Sequence, residues 1–130
     1  MNNFNKTINY KILLAVDDSP GTKKAVKYGV RVAQAFGIKV QIITVSEDDN
    51  SKEANKKSSE NASKMMRRCG VEAETKFEIG KPVDKIIEIA GEDHIIIMGA
   101  STQSPIAKFF IGSKPLNVMQ NSNCPIVIVK

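Results

Sequence analysis

The stretch His94-Ile95-Ile96-Ile97-Met98-Gly99 decides the fold class of this chain. Its run of large apolar residues lacks the alternation of a half-exposed strand, so it predicts a strand that is buried on both faces. Such strands are typical of a parallel sheet covered by helices on both sides. The glycine after the strand permits a sharp exit and a close approach of the backbone to a neighbouring element.

The rest of the chain alternates strand-like with helix-like segments. Strict alternation predicts an α/β fold, a parallel sheet with right-handed crossovers and helices on both faces. Regular alternation of apolar and charged residues from Val71 to Ile79 predicts an edge strand. The other strands are predicted at residues 10–16, 39–45, 95–98 and 125–129, and the helices at 20–36, 51–69, 82–90 and 113–120.

The helix ends give further expectations. Ser19 before Pro20 predicts that the first helix starts there, with the serine hydroxyl as its cap. Pro82 suits the first position of the third helix. In the last helix, Leu116 and Met119 are expected to point inward. The polar stretch 47–50 is expected to be an exposed loop.

Composition restricts the function classes. A chain of 130 residues with 42% hydrophobic and 25% charged residues is expected to form one globular domain, at residues 10–130, after a short polar leader at 1–9. No apolar stretch suits a membrane span or a signal peptide, so we expect a cytoplasmic protein. Cys69 and Cys124 lack CxxC spacing and are expected to be buried thiols.

A net charge of +5 would suit an anionic ligand or nucleic acid. However, the lysines are dispersed along the sequence, and the chain has few aromatic residues and no basic–aromatic alternation. Nucleic acid is therefore predicted to be an unlikely partner, and weak binding driven by charge is the least favoured of three interpretations.

The candidate ligand site lies at two loops that follow strands. Ligands in parallel α/β sheets bind beyond the carboxyl ends of the strands, where the strand order reverses. The loop Asp17-Asp18-Ser19 and the loop after Gly99 meet this condition. Gly112-Ser113 opens a helix, and backbone N–H groups at a helix start with nearby hydroxyls suit an anion such as phosphate. The alternative is that these glycines only make turns.

Four motifs resemble one known family over essentially the whole chain. They are the opening Ile12-Leu13-Leu14-Ala15-Val16-Asp17, the turn Gly80-Lys81-Pro82, the strand Ile95-Ile96-Ile97-Met98-Gly99 and the closing Cys124-Pro125-Ile126-Val127-Ile128-Val129. Together they resemble the universal stress protein family. The family's nucleotide signature, G-x2-G-x9-G-[ST], falls on Gly99, Thr102, Gly112 and Ser113 with its spacing intact.

The resemblance implies a single three-layer domain with a Rossmann-like sheet ordered 3-2-1-4-5, as in adenine nucleotide alpha hydrolase-like folds. In nucleotide-binding members, the residue matching Asp17 contacts the nucleoside, backbone matching Val45 holds the adenine, and the signature loop holds the phosphates. The predicted nucleotide site consists of Ala15, Asp17, Val45, Met98, Gly99, Thr102, Gly112, Ser113 and Lys114. The resemblance also implies a homodimer through the last strand, at Ile126, Val127, Ile128 and Val129.

One residue departs from the signature, because Thr102 replaces the second glycine. If that position needs positive φ, a β-branched residue costs about 1–2 kcal/mol there. With ordinary φ, its hydroxyl could instead contact a phosphate oxygen. Lys114 adds a cation for a phosphate, whereas Pro115 removes a backbone N–H.

Two functions therefore lead. The first is a cytoplasmic stress-response regulator that binds ATP or AMP, either with or without Mg²⁺. The second is a dimeric adaptor of the same fold that binds no nucleotide and acts through an unknown protein partner. No base or nucleophile is evident, and His94 should lie at the far end of the sheet, so we do not expect a dedicated enzyme.

Overall fold

A computed structural model describes residues 10–100 and 112–130. The predicted leader at 1–9 and Thr102 lie outside the described residues. The strands are β1 (Lys11–Ala15), β2 (Val40–Ser46), β3 (Ala73–Ile79), β4 (His94–Gly99) and β5 (Ile126–Val129). The helices are α1 (Thr22–Phe36), α2 (Asp49–Arg68), α3 (Pro82–Ile89) and α4 (Ser113–Asn121).

The strands form one sheet in the order β3-β2-β1-β4-β5, and all neighbouring pairs are parallel. This confirms the predicted fold class and order, and it places β3 at an edge as the alternating pattern predicted. The strand order reverses between β1 and β4, since β2 and β3 lie on one side of this pair and β5 lies on the other. The helices that follow β1 and β4 in the sequence, α1 and α4, therefore lie in opposite helical layers, on either side of the sheet.

The sheet buries a different set of side chains on each face. Leu14 and Ile97 pack with α1 and α2, through residues such as Met66. On the other face, Leu13 and Ile96 pack with α3 and α4. Because both faces of β1 and β4 are covered, these strands are apolar throughout.

Two helices begin at other residues than expected. α1 starts at Thr22 with Gly21 as its N-cap and no side-chain cap. The predicted cap, Ser19, instead directs its hydroxyl to the Asp17 carboxylate. α2 starts at Asp49, inside the predicted loop, because the Asp48 side chain caps it by accepting a 3.0 Å hydrogen bond from the Ser51 amide.

Four side chains lie elsewhere than predicted. Leu116 and Met119 are 38% and 41% exposed, because Pro115 and Val118 occupy the buried face of α4 instead. Cys69 is exposed and Cys124 is partly exposed, so the expectation of two buried thiols is wrong. Cys69 follows the last turn of α2 as its C-cap, beyond the stripe that packs on the sheet. Across the described ranges, no helix combines the length and apolarity needed to cross a bilayer.

Candidate functional site

A cleft opens at the carboxyl ends of β1 and β4, where the strand order reverses. Six of the predicted site residues line it, together with Val16, Ser19, Thr22, Ile43, Pro82 and Ile86. These six are Ala15, Asp17, Val45, Met98, Gly99 and Lys114. Residues from β1, β2, β4 and α4, far apart in sequence, thus meet at one place.

Gly112 and Ser113 lie at the start of α4, next to the lining residue Lys114. The Gly112 amide donates a 2.8 Å hydrogen bond to the Ala100 carbonyl, so this N–H is already used within the protein. Gly112 has φ −64° and ψ 164°, an extended conformation open to any residue. Its backbone angles therefore do not require glycine.

Among the described residues that line the cleft, the Asp17 carboxylate accepts the most hydrogen bonds. Its Oδ1 atom accepts hydrogen bonds from the Ser19 amide at 2.9 Å, the Thr22 hydroxyl at 2.9 Å and the Ser19 hydroxyl. Its Oδ2 atom lies 3.8 Å from the ammonium of Lys114. The loop after β1 therefore folds around this carboxylate and fixes its orientation.

These contacts keep Asp17 ionised. Burial alone would raise the pKa of Asp17, but the Ser19 side-chain and backbone hydrogen bonds, the Thr22 hydrogen bond and the Lys114 charge outweigh burial and lower it. The cleft consequently holds a fixed negative charge at neutral pH, partly balanced by Lys114. Of the described lining residues, these two are the only ones that ionise.

Gly99 permits a close backbone contact, which the sequence predicted without identifying the partner element. A Cβ atom built on Gly99 would lie 2.8 Å from both the carbonyl carbon and the oxygen of Gly21. Real Cβ atoms essentially never come so close to backbone, so the end of β4 can approach the start of α1 only because residue 99 is glycine. The close approach that this glycine permits is to α1.

Asn55 of α2 is a site-supporting residue that the sequence analysis missed. It is 6% exposed, accepts a 2.9 Å hydrogen bond from the Asp18 amide and donates a 2.8 Å bond to the Ser46 hydroxyl. It therefore ties the loop after β1 to the end of β2. Because Asn55 lies in a polar stretch of sequence, only its place on the buried stripe of α2 could have indicated it.

The backbone of Val45 faces the cleft beyond the end of β1. The β1–β2 register ends at the pair Ala15–Ile43, and the Ile43 carbonyl accepts from the Val16 amide at 3.0 Å. Because backbone groups alternate in direction along a strand, those of Val45 point to the same side as those of Ile43. In the described part of the chain, the N–H and C=O groups of Val45 have no backbone hydrogen-bond partner beyond the end of β1.

The chain is also similar to known proteins in sequence and in fold. The model of the universal stress protein family matches residues 9–130. The chain belongs to the universal stress protein family.

Individual universal stress proteins are similar over nearly the full length. The universal stress protein YxiE of Bacillus subtilis is 26% identical, with 92% of this chain and 98% of that protein covered. A universal stress protein structure from Archaeoglobus fulgidus has a TM-score of 0.81 at 24% identity, covering 95% of this chain and 100% of that one. Another from that organism, in complex with dAMP, has a TM-score of 0.76 at 23% identity, with the same coverage.

His94 of this universal stress protein lies at the opposite end of the sheet from the cleft, as expected. It is 8% exposed at the start of β4, and its Nδ1 atom accepts a 2.9 Å hydrogen bond from the Gly91 amide. That bond closes the turn from α3 into β4. The contact gives His94 a structural role in this protein.

Proposed function

We propose that this universal stress protein binds an adenine nucleotide in the cleft between β1 and β4 and acts as a stress-response regulator. The observation that carries the proposal is the backbone of Val45, which extends past the end of β1 and presents a donor and an acceptor to the cleft. An adenine edge also offers a donor and an acceptor. The dAMP complex of the Archaeoglobus fulgidus universal stress protein supports the same ligand class.

The Asp17 carboxylate suits the ribose of such a ligand. Its Oδ1 atom is already bonded to Ser19 and Thr22, which leaves Oδ2 for sugar hydroxyls. Hydrogen bonds to a charged acceptor are the stronger kind, and this acceptor needs no reorganisation because the loop holds it. Lys114 lies beside Oδ2 and is 44% exposed, so it can turn towards a phosphate when a nucleotide enters.

Isothermal titration with ATP and with AMP, each with and without Mg²⁺, tests the proposal. We expect saturable binding, and Asp17→Ala should weaken it about 10- to 100-fold, because a hydrogen bond to a charged group contributes about 1.5–3 kcal/mol. Asp18→Ala is the matched control, since Asp18 is exposed and only its backbone amide contacts Asn55. Thermal melting of each variant shows whether it is folded.

The opposite result would support the second function. If neither nucleotide gives heat or raises the melting temperature at millimolar concentration, the protein does not use this cleft for nucleotide, and the adaptor that acts through protein contacts becomes the better proposal. The titration series also separates ATP from AMP and shows whether Mg²⁺ contributes. We propose binding rather than catalysis, since Asp17 is committed to structural hydrogen bonds.

A homodimer through β5 completes the proposal. β5 is an edge strand whose four residues are all partly exposed. Leu116 and Met119 on α4 are large exposed apolar side chains in the element that precedes it. A second copy paired along β5 would extend the sheet and lie close to this helix, which gives these side chains an apolar neighbour.

A further inference from the structure

The positive charge of this protein is concentrated on one layer. Helices α1 and α2 together carry ten Lys and Arg residues but three Asp and Glu residues, an excess of seven positive charges. The whole chain has a net charge of +5, so the remainder carries a net charge of −2. The lysines that are dispersed in sequence are gathered by the fold, because α1 and α2 cover the same face of the sheet.

A groove between the two helices is the centre of this layer. Lys23 and Lys27 of α1 line one side, and Ser58 and Asn61 of α2 line the other. The floor consists of Val26, Ala62 and Met65. No acidic residue is among the described residues that line the groove.

Further cations border the groove on α2. Lys57, Lys64 and Arg68 share a helical stripe with Asn61, at spacings of four, three and four residues along the chain. They are exposed and lie between the groove and the acidic side chains of Glu53 and Glu60. Among the described residues, none of the cations of α1 or α2 has a carboxylate partner within 4.0 Å.

We propose that this groove binds single-stranded nucleic acid through its phosphodiester backbone, without sequence preference. Two rows of cations flank a concave track, and hydroxyl and amide groups such as those of Ser58 and Asn61 are common partners of phosphate oxygens. No aromatic residue is among the described lining residues, so bases have no stacking platform there. Binding rests on charge and backbone contacts.

The floor of the groove argues against other polyanionic partners. Val26 and Ala62 are 4% and 2% exposed, so they offer little apolar surface to the anchors of an acidic amphipathic peptide. A concave track also fits a flexible strand better than the plane of an anionic membrane. Charge complementarity and shape together favour the nucleic acid strand.

Fluorescence anisotropy with a labelled single-stranded oligonucleotide of mixed sequence tests this inference. We expect the affinity to fall with salt, with a slope of log Kd against log salt of up to about 3.5 if all five groove cations engage phosphates. Lys23→Glu with Lys27→Glu should weaken binding more than about tenfold and lower that slope. The control pair is Lys76→Glu with Lys130→Glu, on β3 and after β5, which changes the net charge equally but leaves the groove intact and should bind as the wild type does.

Three results would overturn the inference. The first is equal loss of binding in both double variants, which would make the effect one of net charge. The second is displacement of the oligonucleotide by saturating AMP, which would place the strand in the nucleotide cleft. The third is equal or tighter binding of polyglutamate or of phosphatidylserine vesicles, which would assign the layer to an acidic protein or a membrane. Melting curves confirm that each variant is folded.

Discussion

Asp17 shows how one carboxylate organises a loop. Its Oδ1 atom collects the Ser19 amide and hydroxyl and the Thr22 hydroxyl, while the Asp17 amide donates a 3.2 Å hydrogen bond back to the Thr22 hydroxyl oxygen. These bonds join the end of β1 to the first residue of α1. The carboxylate that we propose as the ribose contact is therefore also part of the structure.

The pKa of Asp17 gives a pH prediction. Because its pKa is lower in the folded than in the unfolded protein, the ionised carboxylate stabilises the fold above its unfolded pKa of about 4. That stabilisation is lost as the pH falls through the folded pKa. Asp17→Asn should lower the free energy of unfolding at neutral pH and have a smaller effect once the pH is below the folded pKa of Asp17.

Urea denaturation at several pH values measures this difference. The Asp18→Asn variant is the control, since its exposed side chain makes none of these hydrogen bonds, and it should follow the wild type at each pH. If Asp17→Asn shifts the free energy of unfolding by a constant amount at all pH values, the ionised form of Asp17 has no special stabilising role.

Among individual residues, the sequence indicated the charged groups of the cleft but not Asn55, which holds the loop after β1 in place. Asp17 and Lys114 were both predicted, from family motif and charge. Asn55 was not, because its partner at Asp18 lies 37 residues away, and such a contact depends on how α2 packs against the sheet. Ser19 was recognised as a capping residue, yet the nearby carboxylate competes for its hydroxyl.

At the contact between β4 and α1, the structure leaves no room for a side chain at residue 99. Gly99→Ala would place a methyl group against the backbone of Gly21, where neither partner can move without shifting its element. We expect a loss of about 1–3 kcal/mol in the free energy of unfolding, the usual cost of overpacking. Chemical denaturation measures it.

Gly29→Ala is the matched control within α1. A Cβ atom at Gly29 would meet Leu14 at 3.5 Å and Met66 at 3.7 Å, which are ordinary contact distances. Because alanine is favoured over glycine in a helix interior, this variant should be as stable as the wild type or up to about 1 kcal/mol more stable. If Gly99→Ala behaves in the same way, the tight contact is not a constraint on the fold.

Element types were predictable from sequence, whereas some facing directions and helix starts were not. Apolar periodicity identified the strands and helices because burial dictates it. In α4, however, Leu116 and Met119 compete with Pro115 and Val118 for the buried face at the same spacing of three residues. The choice between two such stripes depends on the position of the helix on the sheet, which the sequence pattern does not contain.

For the whole molecule, assembly through β5 can be tested at the backbone. The Pro125 carbonyl accepts from the Ile96 amide of β4, and the Val129 carbonyl accepts from the Ala100 amide just after β4. By alternation, the backbone groups of Ile128 point to the free edge. Ile128→Pro removes an edge N–H without removing a bond to β4. If the proposed dimer pairs along this edge, the variant should be monomeric by light scattering on a sizing column while the wild type is dimeric.

Thr75→Pro is the control on the other edge. The Glu72 carbonyl accepts from the Val40 amide, so by alternation the backbone of Thr75 points away from β2. This variant should remain a dimer. A monomeric wild type, or dissociation caused by the Thr75 change instead, would contradict assembly through β5.

The overall architecture was the most predictable part of the molecule. Strict alternation of strands and helices leaves few topologies, and the family motifs selected the order that the structure has. The grouping of charge was not evident, because lysines on α1 and α2 are separated in sequence by β2. Their common layer follows from the crossover connections.

The unequal charge of the two helical layers also makes the molecule an electric dipole. A protein with such a dipole turns its positive layer towards an anionic surface before the two make contact. Its first encounters with that surface are therefore oriented rather than random. Its retention on a cation exchanger should therefore reflect the excess of seven on α1 and α2 more than the net charge of +5. Two copies will also repel each other through these layers, which leaves their other surfaces for self-association.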